Sequence, residues 1–312
     1  MHPIDGINHI TLITGDARRN VDFYARVLGL RLVKRTVNQD DPTVYHLFYS
    51  DELGSAGADI TFFEYPEAQP GHAGAGMVCS IVHRVGSEAA LDFWSERLAG
   101  EGGEVAREPG RLRFADPEGM SHELAVTQTD DQPLIARSIE VPPEHALQGF
   151  EAVRALVADA APSEALLRDT LGFTELAEHD WEARGEHRGG RILFERTDER
   201  GVPGAGTVHH VAWSVLRDEQ EQWRQRVIEG GAHPTPIIDR FYFESVYFRE
   251  PGGILYELAT LDGAGFAADE PAETLGEALS LPPSYEALRA KLEPALTQLP
   301  DIRQWRPPPS SK

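Results

Sequence analysis

The chain has 312 residues, 41% of them hydrophobic and 26% charged, the make-up of a globular protein of about two domains. A net charge of −22 argues against nucleic acid and anionic membrane as partners, and a single cysteine, Cys79, excludes a disulfide framework or a Cys-rich metal site. No apolar run reaches the length of a membrane span and the N-terminus lacks a signal-peptide pattern, so a cytoplasmic location is expected.

In chain order, GINHITLIT (Gly6 to Thr14) reads as a strand carrying His9. Asp16 to Leu28 follows as a helix with Asp16 as its N-cap and Val21, Phe23, Tyr24, Val27 and Leu28 as its apolar face. Gly29 ends it, and LRLVKRTV, TVYHLFYSD and ADITFFEYP supply three strands. Met77 to Thr127 repeats the plan: MVCSIV, a helix over Glu88 to Leu98, then GEVARE, RLRFAD and SHELAV. The stretch 131–146 is polar, holds Pro133, Pro142 and Pro143, and reads as a linker. Leu147 to Glu195 is a third copy, with LLRDTLGF as its helix end. Thr207 to Thr260 is the fourth: a strand with His209 and His210, a helix over Asp218 to Gly230, a Pro251 to Gly253 turn, and a last strand with Glu257.

Two internal matches order the copies. VLGLRLV at 27–33 matches TLGFTEL at 170–176, and FADPEGMSHELA at 114–125 matches FREPGGILYELA at 248–259. The chain is therefore α+β, four βαβββ units in two tandem halves, with expected bounds 1–130, a linker 131–146, 147–262, and a C-terminal extension 263–312. Shifted by the same spacing, His9 falls on Ala152 and Glu257 on Glu123; setting TVHHVAW against GMVCSIV places His210 on Cys79. Pairing the first unit with the fourth thus offers His9, His210 and Glu257, while pairing second with third offers no imidazole. Two histidines and one carboxylate with open positions is the donor set of mononuclear non-heme Fe(II) oxygenases.

Each of these residues also has a plain reading. A lone strand histidine is more often a satisfied core residue, and the paired spacings are what reverse this for His9. Neighbouring residues alternate faces on a strand, so only one of His209 and His210 should face a site. Glu257 would be costly in an apolar strand unless a cation accompanied it. Glu123 reads as structural, Cys79 as a small buried residue, and His46 is placed equally well in a pocket or outside one. Arg240 could be a surface ion-pair residue, but its place before FYFES favours contact with a substrate or a developing oxyanion.

The quoted units, together with GINHITLITGDARRNVDFYARVLGLRLVKRTVNQDDPTVYHLFYSD, DRFYFESVYFREPGGILYELATLDGAGFAADE and LGEALSLPP, resemble the vicinal oxygen chelate superfamily of glyoxalases, bleomycin-resistance proteins and extradiol dioxygenases. Within it they resemble the ring-cleaving dioxygenases of the hydroquinone-dioxygenase group over nearly the whole chain. The resemblance implies two tandem glyoxalase-like domains, an Fe(II) ion (Mn(II) as the alternative) on His9, His210 and Glu257, and an aromatic diol and O2 as reactants. It selects His210 over His209, and places supporting groups at Thr11, His209, Arg240 and Tyr247. Many relatives carry histidine before the first ligand, where this chain has Asn8; asparagine cannot shuttle a proton near pH 7, which bears on rate or substrate preference rather than on the metal. Hydroquinone is the expected substrate. The alternatives are a catechol; a glyoxalase-like isomerase or lyase, which needs a fourth ligand that only Glu64 could supply; and a non-catalytic protein that binds an aromatic compound. A homo-oligomer is left open, and the tail, with one helix expected from near Ser284 to about Pro294, is assigned a packing role, its end RPPPSSK without fixed structure.

Overall fold

The structure, a computed structural model, describes residues 1–307. The first unit runs β1 (Ile7–Thr14), α1 (Ala17–Val21), β2 (Arg31–Val37), β3 (Tyr45–Ser50) and β4 (Asp59–Glu64). The second is β5 (Met77–Val85), α2 (Glu88–Gly100), β6 (Val105–Glu108), β7 (Arg111–Ala115) and β8 (Ser121–Val126). The third is β9 (Phe150–Val157), α3 (Ala161–Ala165), β10 (Thr174–Ala177), β11 (Asp180–Arg184) and β12 (Gly189–Arg196). The fourth is β13 (Val208–Val215), α4 (Gln220–Glu229), β14 (Ile238–Asp239), β15 (Glu244–Arg249) and β16 (Leu255–Thr260). No helix is long and apolar enough to cross a membrane among the described residues.

The units pair as the internal repeats require. One eight-stranded sheet has the order β14-β15-β16-β13-β1-β4-β3-β2 and joins the fourth unit to the first; the other, β10-β11-β12-β9-β5-β8-β7-β6, joins the third to the second. Each seam is an antiparallel pair of first strands, β1 with β13 and β5 with β9. The helices report the same two classes. Asp16 does cap α1, accepting from the amides of Arg18 and Arg19, but the helix tightens only over Ala17–Val21 and then widens into a π-helical segment, Asp22–Val27. The third unit repeats this, α3 passing into a π segment over Leu166–Leu171, whereas α2 and α4 are regular. That widening is a departure from the single α-helix expected over Asp16 to Leu28.

Period-two alternation decides which side chains reach the core and which reach the site. Ile10 and Leu12 of β1, Tyr45, Leu47 and Tyr49 of β3, Ile60 and Phe62 of β4, and Tyr256 and Leu258 of β16 enter one continuous buried cluster shared by both sheets. The residues between them (His9 and Thr11, His46 and Phe48, Thr61 and Phe63, Glu257) fall on the opposite face. At about 1.5–3 kcal/mol per large apolar side chain buried, the core fixes strand register, and register fixes the polar face.

The tail packs against the outer end of the first sheet. Leu279 bridges to Arg35, the Tyr285 hydroxyl donates to Gln39 O at 2.6 Å, and Phe266 and Leu275 join Val33, Phe48 and Tyr242 in a small second cluster. Its expected helix is confined to a short 3-10 turn, Glu286–Leu288, and Arg289–Leu292; the last five residues of RPPPSSK lie outside those described. The tail also neutralises Lys34. This fully buried ammonium donates to Asp269 Oδ1 at 2.8 Å, to Glu270 Oε2 and to Ser280 Oγ. Removing both carboxylates, Asp269→Ala with Glu270→Ala, strands a buried charge and should lower the unfolding free energy by about 3–5 kcal/mol. Adding Lys34→Met should recover most of it, as read by urea denaturation.

Candidate metal centre

Three side chains from three adjacent strands converge on the polar face: His9 from β1, His210 from β13 and Glu257 from β16. All are buried, and they form the one group of three potential metal ligands among the described residues. His210 Nε2 lies 2.9 Å and His9 Nε2 3.2 Å from Glu257 Oε2, with 3.4 Å between the two nitrogens. Ligand atoms about 2.1 Å from a common ion lie about 3.0 Å apart when cis on an octahedron and about 3.4 Å apart on a tetrahedron. The three edges match such a set. Glu257 Oε2 is buried without a well-aligned hydrogen bond, despite its two near nitrogens, so the atom lacks a donor that a cation would replace. Burial disfavours the charged form of Glu257, but the flanking histidines overcome this and hold its carboxyl well below the ordinary range. Burial also holds His210 below the usual histidine value. A carboxylate beside a neutral imidazole is the protonation state that a divalent metal requires.

Bulges aim the histidines. The β1–β13 register slips between Ile7 and Ile10, around Asn8 and His9, and again opposite Leu12, leaving His209 unpaired. The residues beside the ligands therefore sit behind them rather than in the cavity. Asn8 Oδ1 lies 3.0 Å from His9 Nδ1, and Asn8 Nδ2 donates to Ser214 Oγ at 3.2 Å. His209 is exposed, its Nδ1 2.8 Å from His210 Nδ1. With each ligand's Nε2 lone pair kept for a metal, each Nδ1–H is the donor, to Asn8 Oδ1 and to His209 Nδ1. Ser245 Oγ donates to Glu257 Oε1 at 2.5 Å, completing the support. Neither Asn8 nor His209 lines the cavity; each contacts the Nδ1 of a neighbouring histidine of the triad. The sequence places the effect of Asn8 on rate or substrate preference; its contact with His9 instead predicts that Asn8→Ala weakens metal affinity about 10–100-fold, as read by competition with a chelator, while the fold persists.

A cavity opens in front of the triad. Phe48, Phe63, Tyr242 and Phe243 give it aromatic walls, with the Phe243 ring 5.2 Å from that of His9. Tyr247 stands opposite Glu257 in the β15–β16 register, its ring 5.6 Å from that of His210. Burial, with the nearby Glu257, raises the Tyr247 phenol and keeps it a hydrogen-bond donor. Arg240 lies over the Tyr247 ring and binds Asp40 through two bonds of 3.1 and 2.9 Å, joining the fourth unit to the first at the cavity's edge. The adjoining turn holds Phe241 at φ +70°, a left-handed conformation that L-residues rarely adopt, and presents Arg240 and Phe243 to the cavity from either side of it. Thr11 stays behind the wall, its Oγ1 2.7 Å from Thr61 Oγ1, and Thr61 Oγ1 lies 3.0 Å from Nε2 of His46, which does line the cavity. Sequence reasoning missed Ser245, Thr61 and Thr36, which alternation on their strands could have revealed, and Asp40, a loop residue without any local signal.

The equivalent place in the other sheet holds no such set. Its register corrects one assignment: Ser80 pairs with Arg154 as His210 pairs with Thr11, so the counterpart of His210 is Ser80, and Cys79 is the unpaired bulge residue matching His209. The one-residue slip arose because both strands are short apolar runs that align almost equally well in either frame. Glu123 is ion-paired with Arg111, with Arg113 at 3.2 Å and with Arg154 at 3.4 Å.

This architecture has relatives. The model of the Glyoxalase/Bleomycin resistance protein/Dioxygenase superfamily matches residues 6–124 and 149–258. "Putative ring-cleaving dioxygenase MhqA" of Bacillus subtilis is 40% identical, over 94% of this chain and 98% of its own. "Chlorohydroquinone/hydroquinone 1,2-dioxygenase" of Sphingobium indicum is 31% identical, over 93% of this chain and 95% of its own. A crystal structure titled as a putative dioxygenase from Bacillus subtilis superposes with a TM-score of 0.87 at 36% identity, covering 96% of this chain and 99% of that one. The chain belongs to the Glyoxalase/Bleomycin resistance protein/Dioxygenase superfamily, in the branch of ring-cleaving dioxygenases that these relatives represent.

Proposed function

We propose that the protein is an Fe(II)-dependent dioxygenase that opens the ring of a para-diol of the hydroquinone class. The observation that carries this reading is a three-ligand centre, His9, His210 and Glu257, at the floor of an aromatic-walled cavity. A glyoxalase-like isomerase would use a fourth carboxylate. Glu64 is held elsewhere, its Oε1 accepting from Thr297 Oγ1 at 2.6 Å and from the amide of Ala17, and it does not line the cavity. The named activity of the Sphingobium relative is consistent with a hydroquinone.

The ion, when bound, supplies Lewis acidity and a common point for the diol oxygen and O2. The chain supplies the rest. Phe48, Phe63 and Phe243 enclose the ring and limit water, while the Tyr247 phenol donates a hydrogen bond toward oxygen close to His210 and Glu257. The Arg240 guanidinium, fixed by Asp40, sets positive charge beside Tyr247 where negative charge develops. Asn8, His209 and Ser245 hold the three ligands in a fixed orientation. Turnover under 18O2 with mass analysis of the product, its new aldehyde trapped by borohydride as it forms, tests the reading: both oxygen atoms should enter the opened product, and a product whose carboxylate carries no heavy atom would reject a dioxygenase.

A further inference from the structure

An ortho-diol can bring both oxygens to one ion, but a para-diol leaves its second hydroxyl across the ring, where the chain must receive it. From the ion to an acceptor of that far hydroxyl is about 10 Å. Tyr247 is too close to the ligands for this, directly opposite Glu257 in register. The first unit offers a better-placed group. β3 lies two strands from β1, about 10 Å across the sheet, and its His46 lines the cavity. The His46 ring is held by Phe48 and Phe63, at centroid distances of 4.0 and 4.4 Å, and by Thr61 Oγ1 at its Nε2. Its Nδ1 has no protein partner among the described residues and is not sealed by packing. Directly across from it on β2, Thr36 also lines the cavity; its Oγ1 is buried and makes no hydrogen bond. The Tyr242 hydroxyl, which donates to Asp269 Oδ2 at 3.0 Å, is a nearby oxygen able to accept from Thr36 when no ligand is present. His46 Nδ1 and Thr36 Oγ1 thus belong to paired residues that both line the cavity at its β2–β3 end.

We propose that His46 and Thr36 form the receptor for the far hydroxyl of a para-diol, an inference that rests on the para-diol reading above. With its Nε2–H donated to Thr61, His46 accepts the hydroxyl hydrogen at Nδ1, and Thr36 Oγ donates to the hydroxyl oxygen. A hydroxyl is both donor and acceptor, so one ligand group satisfies both side chains. Burial favours the neutral His46 that such acceptance requires. A ligand with a methyl group in that place leaves both groups unpaired, the situation in which sites built for hydrogen bonds discriminate most strongly.

The test is anaerobic calorimetric binding of hydroquinone, 4-methylphenol and catechol to metal-loaded wild-type, His46→Phe, His46→Gln and Thr36→Val proteins. Wild type should prefer hydroquinone over 4-methylphenol by tenfold or more. His46→Phe and Thr36→Val should each erase most of that preference and leave 4-methylphenol and catechol nearly unchanged, and His46→Gln should keep part of it. A merely structural role would lower all three ligands together; that result, or a wild type without the preference, overturns the receptor. If the preference and its loss are observed but wild-type protein consumes no oxygen with hydroquinone, the receptor stands and the dioxygenase reading fails.

Discussion

Replacing Glu257 with alanine should abolish stoichiometric metal binding, whereas Glu123→Ala should leave about one ion per chain. The two residues hold equivalent positions, each beside the first strand of its own unit (Ala212 next to Glu257, Val82 next to Glu123). They differ in what faces them. Glu257 meets two imidazole nitrogens at 2.9 and 3.2 Å and presents a carboxylate oxygen without a hydrogen bond. Glu123 meets Arg111, Arg113 and Arg154, which satisfy it with fixed positive charge and would repel a cation. Loss of Glu257 removes one of three donors and the one negative charge, an expected affinity loss of more than about 100-fold. Loss of Glu123 leaves guanidiniums without their counter-charge, so it acts on stability, and Glu123→Gln separates that effect from metal binding. Comparable metal loss in the two proteins, measured by elemental analysis after reconstitution, would contradict the assignment.

Tyr247→Phe should cost hydroquinone and catechol turnover equally, each by about tenfold to hundredfold in kcat/KM, the loss of a hydrogen bond to a charged partner of about 1.5–3 kcal/mol. The resemblance read in the sequence marks Arg240 and Tyr247 only as supporting groups and leaves open which hydroxyl of the diol they would serve. In the structure the Tyr247 ring lies 5.6 Å from that of His210, and Arg240 is spent on Asp40 and on the face of that phenol. Under the proposed function Tyr247 serves oxygen held at the ligands, which both diols share. A selective loss on hydroquinone would give Tyr247 the distal role and displace His46 and Thr36 from it.

The legible part of this molecule is the part written in strand periodicity. In GINHITLIT and ILYELA, apolar residues alternate with His9, Thr11 and Glu257, so the core face and the polar face follow from the same pattern. The unit pairing was legible too, because conserved spacing between copies survives in sequence. The register of β5 was not: two bulges shift the frame, and bulges are set by tertiary pairing rather than by local composition, so Ser80 rather than Cys79 matches His210. The π-helical widening at Asp22–Val27 carries no compositional mark distinguishable from an ordinary amphipathic helix. Asn8 reads as a missing proton shuttle until its amide is found behind His9, and Asp40 gains meaning only when a loop of the first unit meets Arg240 from the fourth. Contacts between residues some 200 positions apart are the product of the fold and leave no trace at either end.

The central claim is that His9, His210 and Glu257 hold a metal at which an aromatic diol and O2 react. An oxygen electrode reads this directly, with Fe(II)-loaded protein offered hydroquinone and catechol side by side. The account predicts oxygen consumption equal to the hydroquinone supplied, faster than with catechol, and abolished in Glu257→Ala. A higher rate with catechol would overturn the para-diol assignment, and no oxygen uptake with either diol would contradict the claim itself.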